Sequence, residues 1–188
     1  MVMNLRGCNN ITEIPDLSGY EKLEKLILER CTKLEKIHQS MGDLRSLHHL
    51  NLNHCSSLVE FPEDVSGLKN VEILTLSGCT KLRSLPKNIE CMISLRVLLL
   101  DGTVIGHLPE NIFRLTKLEK LSLKKCSSLK RLPRHVGKLI SLREISLYHS
   151  ALEEIPESFG SLRSLETLDL RWCRSLTVIP ESVGNLNH

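Results

Sequence analysis

One spacing of apolar residues recurs along the whole chain and restricts what it can fold into. Its cleanest copy is VEILTLSGCTKLRSLP, Val71 to Pro86: apolar residues at Val71, Leu74 and Leu76, Cys79 three positions on, then Leu82, Leu85 and Pro86, with Ile89 and Met92 completing the unit. Units begin at Leu23, Leu47, Val71, Leu95, Leu118, Leu142 and Leu165, roughly 24 residues apart. A partial unit over residues 1–22 has Met3, Leu5, Cys8, Ile11, Ile14 and Pro15 in the matching places. It lacks the first leucine and is shortened near Leu17 to Tyr20. Such self-similarity replaces the expectation of one or two globular domains with a single array over 1–188.

Within a unit the apolar residues alternate over the last part of L-x-x-L-x-L, as at Leu118, Leu121 and Leu123, which predicts a short strand with one buried face. A return segment then starts at Pro15, Pro62, Pro86, Pro109, Pro133, Pro156 or Pro180. Apolar residues three and six positions later, as in Pro62, Val65 and Leu68, suit a helical or 3₁₀ turn with one face inward. Proline is expected at the first position of that turn, where an N–H would have no partner. Glu63, Glu110, Glu157 and Glu181 follow it directly, where the dipole favours an anion. His38 replaces the proline once and predicts a looser return. The fold class expected is an α/β solenoid, a right-handed leucine-rich-repeat horseshoe with a concave parallel β-sheet and convex short helical or 3₁₀ turns, stabilised by stacked neighbours.

Cys8, Cys31, Cys55, Cys79, Cys126 and Cys173 share one position, where the chain leaves the strand. A small, buried side chain that can contact backbone fits there. Thr103 and Ser150 take the place in the two units that are one residue shorter before the proline, which predicts that the shorter turn needs a stronger hydrogen-bonding group. Cys91 lies outside the column, at a place where other units carry Gly or Arg. Parallel inward thiols do not converge on a tetrahedral metal site, and an odd count of seven cysteines spread through a repeat points to reduced thiols in a cytosolic protein.

The remaining chemistry is sparse. His48, His49, His54 and Cys55 form the densest His/Cys group, but on a strand and turn they point in different directions, so no metal and no cofactor is expected. SGCTKL around Gly78 only echoes a phosphate loop, and no Ser/His/Asp set is placed together, so catalysis is not expected. With 25 Lys+Arg against 22 Asp+Glu and 3% aromatic residues, neither a clustered basic excess nor a stacking platform points to nucleic acid. No run reaches the roughly 18 apolar residues of a membrane span and no signal peptide is readable, which leaves Asn10-Ile11-Thr12 as a lone glycosylation pattern.

What is left is the concave face. Its third, fifth and seventh positions vary while the frame does not: Lys25, Ile27, Glu29; His49, Asn51, Asn53; Ile73, Thr75, Ser77; Val97, Leu99, Asp101; Lys120, Ser122, Lys124; Glu144, Ser146, Tyr148; Thr167, Asp169, Arg171. The residues expected to touch a protein partner there are Ile27, His49, Ile73, Val97, Leu99, Lys120, Lys124, Tyr148, Arg171 and Trp172. Ile73, Val97 and Leu99 are expected to form an exposed apolar patch, and Tyr148, Arg171 and Trp172 to sit beside Lys124 and Lys125, types favoured at binding hot spots.

The units LTLSGCTKLRSLPKNI, LNLNHCSSLVEFPEDV, LSLKKCSSLKRLPRHV and LDLRWCRSLTVIPESV resemble the leucine-rich repeats of plant intracellular nucleotide-binding immune receptors, most closely the class with an N-terminal Toll/interleukin-1-receptor domain. The shorter LLLDGTVIGHLPENI is similar to the alternate unit of that family. The resemblance implies a cytoplasmic or nuclear module that recognises a pathogen effector or restrains the receptor's own nucleotide-binding domain, with no motif fixing recognition residues. A cytosolic scaffold that binds a small GTPase or another protein is the rival expectation, which only the Thr103 and Ser150 units approach. The chain starts inside a strand and stops at His188, one residue before the next leucine is due. It is therefore expected to be a segment of a longer receptor, and its open leucine faces to make it self-associate.

Overall fold

The computed structural model describes residues 1–186; the expectation built on the stop at His188 lies outside the described residues. Alternating apolar positions produce β1 (Val2–Asn4), β2 (Glu13–Ile14), β3 (Lys25–Ile27), β4 (Lys36–Ile37), β5 (His49–Asn51), β6 (Ile73–Thr75), β7 (Val97–Leu99), β8 (Lys120–Ser122), β9 (Glu144–Ser146) and β10 (Thr167–Asp169). Eight of them form one parallel sheet in the order β1-β3-β5-β6-β7-β8-β9-β10, while β2 pairs with β4 in a two-stranded ribbon. The register repeats unit by unit, so Met3, Leu26, Leu50, Leu74, Leu98, Leu121, Ile145 and Leu168 form one row across the sheet. A helix-period pattern cannot hold such a row; a period of two with a fixed unit length does.

Behind the sheet the frame leucines form a continuous core. In the unit that starts at Leu118, Leu121, Leu123, Cys126, Leu129, Leu132, Val136 and Leu139 are all buried. At the two ends the same columns are only partly covered, as at Met3 and Leu5 on one side and Leu168, Leu170 and Leu176 on the other.

Each strand ends in the same way. Gly7, Arg30, His54, Gly78, Gly102, Lys125, His149 and Trp172, one residue before the cysteine column, all have φ between 56° and 78°. That left-handed turn is free for glycine but costs an L-residue about 1–2 kcal/mol. It is held because the hydrogen-bond ladder continues through it: the N–H groups of Arg30, His54, Lys125 and His149 donate to the carbonyls of Asn53, Ser77, Tyr148 and Arg171 at 2.8, 2.7, 2.8 and 2.9 Å. The glycines at 7, 78 and 102 were the sequence signal for this column. The seventh positions, including Lys124, Tyr148 and Arg171, therefore lie in the turn at the rim of the sheet and not within the strands.

On the convex side six returns contain 3₁₀ turns, at Gln39–Asp43, Ile89–Cys91, Glu110–Arg114, Val136–Lys138, Glu157–Ser161 and Glu181–Asn185. Pro109, Pro156 and Pro180 occupy the residue before the turn, one place earlier than expected, because their extended ψ brings the chain into it. His38 does not loosen its return. It caps a regular turn by accepting from the Ser40 N–H on Nδ1 at 3.2 Å, the work a proline cannot do. The returns of Pro15 and Pro62 lack a 3₁₀ turn: Asp16 accepts from the Ser18 N–H at 2.8 Å in the first, and in the second Asp64 accepts from the Ser66 N–H at 2.9 Å and from Asn88 of the next unit at 2.7 Å.

The cysteine column builds a second ladder beneath the rim. Cys31, Cys55, Cys79, Cys126 and Cys173 donate their S–H to the carbonyls of Leu5, Leu28, Leu52, Leu100 and Leu147 in the preceding unit, at 3.0–3.3 Å. Thr103 instead donates to Leu100 O of its own unit at 2.9 Å, so the thiol-to-carbonyl chain between units skips that step. Burial pushes the thiols of Cys55 and Cys79 up to about 12, with the neighbouring cysteine a smaller cause. A group whose folded pKa is raised contributes stability that is whole below its unfolded value near 9 and is lost as pH climbs towards 12. The urea midpoint should therefore hold level from neutral pH to about 8.5 and fall above 9, and the fall should be shallower in Cys79→Ala. Equal slopes for the two proteins between pH 9 and 11 would contradict this account.

Candidate functional site

The concave surface is assembled by register alone. Lys25, His49, Ile73, Val97, Lys120, Glu144 and Thr167 lie side by side in one row, and Ile27, Asn51, Thr75, Leu99, Ser122, Ser146 and Asp169 in the next. Ile73 is directly opposite Val97, and Leu99 follows Val97 on the same face with Thr75 and Ser122 beside it. The structure thus brings the three predicted apolar residues together, but each is half-buried rather than fully exposed.

Ile27 does not join that cluster; Asn4 and Asn51 flank it. His49 sits between Lys25 and Ile73. Burial first, and then the Lys25 charge, lowers its pKa, which keeps the imidazole neutral at pH 7. Lys120 is not a free cation, since Glu144 lies 2.7 Å from its ammonium. At the C-terminal rim, the Arg171 guanidinium lies 5.7 Å from the centre of the Tyr148 ring and grips Asp169 with two contacts of 2.9 and 3.0 Å. Those bonds hold the Asp169 carboxyl down at about 2. Trp172, expected on the concave face, instead occupies the left-handed turn beyond β10, is 59% exposed and has the Arg174 guanidinium 5.5 Å from its ring centre.

Sequence reasoning missed the polar chain that ties the rim together. Asn51 donates to Glu29 at 3.3 Å and accepts from Thr75 at 2.9 Å. Asn53 accepts from the Ser77 N–H at 2.9 Å, and Ser77 from the Asp101 N–H at 3.2 Å. Asp101 accepts from the Ser122 hydroxyl at 2.5 Å and from the Lys124 N–H at 2.8 Å. The runs of Asn, Ser and Asp at the fifth and seventh positions were its only trace. The histidine group does not converge: His48 is exposed, His49 faces the concave side, His54 is exposed at the rim and Cys55 is in the core. Among the described residues no group of three or more His, Cys, Asp and Glu side chains is placed to hold a metal, and no helix is long and apolar enough to cross a membrane.

Profiles for leucine-rich repeats match nearly the whole chain: a leucine-rich repeat region covers residues 4–132, and further leucine-rich repeats cover 116–174 and 164–186. The chain belongs to the leucine-rich-repeat family. It is a leucine-rich-repeat protein-interaction module. The leucine-rich-repeat domain of the type III effector XopL superposes with a TM-score of 0.80 at 27% identity, over 98% of this chain and 73% of that one. A leucine-rich-repeat protein of Leptospira interrogans gives 0.59 at 23% identity, over 98% and 57%, a likeness of fold alone. So does the ectodomain of the Arabidopsis thaliana receptor kinase GASSHO1/SCHENGEN3, at 0.54 and 19% over 97% and 28%. The Arabidopsis thaliana Protein SUPPRESSOR OF npr1-1, CONSTITUTIVE 1 is 46% identical over 48 residues, 26% of this chain and 3% of that protein's length.

Proposed function

We propose that the chain is the protein-recognition segment of a plant intracellular immune receptor, acting in the cytoplasm or nucleus by binding and not by catalysis. Its concave face takes a pathogen effector or the receptor's own nucleotide-binding domain. The observation that carries this reading is the apolar cluster of Ile73, Val97 and Leu99 in the middle of the sheet face, away from Val2 and Ile27 at its N-terminal end and built on side chains the fold does not need for its core. The local match to an Arabidopsis protein and the cysteine-bearing turns support the plant assignment. The seven free cysteines fit a reducing compartment.

Leu99→Asp places a charge in the cluster without entering the core, so thermal unfolding should stay within a degree or two. Capture of a plant nucleotide-binding domain or an effector by the purified chain should fall by at least about tenfold, the range of a hot-spot residue. Unaltered capture by Leu99→Asp would remove the concave cluster from the function.

A further inference from the structure

Arg30 and His54 carry large side chains in the left-handed column of the rim, and so do three successive turns near the C-terminal end; what sets those three apart is unpaired positive charge beside aromatic rings. In that column, where the fold accepts glycine at Gly7, Gly78 and Gly102, the three carry Lys125, His149 and Trp172 in a row. Large side chains are kept on strained backbone, a combination that marks functional sites. Around them lie Lys124, Tyr148 and Arg174. Lys124, Lys125 and Arg174 take part in none of the ion pairs among the described residues, whereas Arg96, Lys120, Arg143 and Arg171 are each matched by a carboxylate. The nearby carboxylate of Asp169 is occupied by Arg171. The patch therefore offers uncompensated positive charge next to Tyr148 and Trp172, one of the chain's two tyrosines and its single tryptophan.

We propose that this rim, from Lys124 to Arg174, docks a short acidic segment of a protein partner. Lys124, Lys125 and Arg174 meet its carboxylates, and the Tyr148 and Trp172 rings cover its backbone or an apolar side chain. The inference rests on the protein-recognition reading and names the chemistry of part of the partner. Its extent is set by charge: three adjacent turns span about 10 Å at the spacing of neighbouring strands. One turn further towards the N-terminus the rim presents Asp101. An extended peptide places side chains on one side every ~7 Å, so two carboxylates fill the span. A nucleic-acid strand, with a phosphate every ~3.4 Å of axis, would run its charge onto Asp101.

The column itself supplies the test, because glycine removes each side chain while keeping the backbone turn it occupies. A fluorescein-labelled octaglutamate should bind the chain, and more weakly as salt rises from about 50 to 200 mM. The triple variant Lys125→Gly, His149→Gly, Trp172→Gly should lose at least tenfold in affinity while its unfolding temperature stays the same or rises. Arg30→Gly, the same backbone change at φ 62° at the other end of the array, should bind as before. Failure of octaglutamate to bind, equal binding by the triple variant, or stronger binding of a thymidine octanucleotide would each overturn the proposal. If Leu99→Asp still blocks partner capture in that event, the acidic-segment inference falls alone. Intact capture by Leu99→Asp sinks the recognition reading whatever the peptide does.

Discussion

Leu121→Ala should lower the stability of the chain by about 2–5 kcal/mol, the range for a fully buried leucine truncated to leave a cavity. Leu121 is flanked by Leu98 on one strand and Ile145 on the other and is wholly shielded from water. Its side chain therefore belongs to two inter-unit contacts at once, and in a solenoid those contacts carry most of the stability. Leu168 occupies the same row at the end of the sheet, where only β9 covers it and the side chain is half-exposed. Leu168→Ala should cost less than half as much. Urea denaturation of the two variants measures both, and at this chain length the first corresponds to a fall in Tm of roughly 4–20 °C. Equal losses at the two sites would mean that stacking between units is not what holds Leu121.

The core was legible because every unit repeats the same demand. Val71, Leu74, Leu76, Leu82 and Leu85 could be placed from spacing alone, and all five are buried. Rim geometry was legible only in part, since the left-handed turn is imposed by the ladder of N–H groups crossing between units. Once the ladder fixes φ, the residue type is free, and Arg30, His54, Lys125 and His149 hide a conformation that Gly78 and Gly102 advertise. Trp172, grouped with the concave face because it follows Arg171 and is of a type favoured at binding hot spots, stands in the turn beyond that face. His38 reads in the sequence as a missing start signal for its return, whereas its ring replaces the rigidity of proline with a hydrogen bond. Which side chains of the concave face pair with each other could not be read from one unit. Lys120 with Glu144, and Asp101 with Ser122, are neighbours only after some 21–24 residues of chain have returned to the sheet.

The convex glycines illustrate the same limit, with a larger energetic consequence. Counted from the proline, Cys91 shares a place with Gly67 and Arg114. Counted from the buried residue that ends the turn, Gly42, Gly137 and Gly160 form a separate column two places before Leu44, Leu139 and Leu162. A Cβ on Gly137 would lie 1.7 Å from the carbonyl oxygen of Ser158, and one on Gly160 would lie 2.0 Å from that of Ser182. Both obstacles are backbone atoms of the next return, which cannot rotate aside, so two stacked 3₁₀ turns would have to move apart. Gly137→Ala should therefore cost about 2–3 kcal/mol, near the top of the range for overpacking. That is far more than the 0.4–1 kcal/mol that stiffening the unfolded chain returns. Gly184 holds the matching place in the last described return, and no described atom lies within 4 Å of its Cβ position. There the unfolded-state term stands alone, and Gly184→Ala should stabilise by a few tenths of a kcal/mol. Opposite signs at two equivalent positions, measured by urea denaturation, identify close approach between returns as the reason for glycine. A loss of stability at both would point instead to a demand of the turn itself.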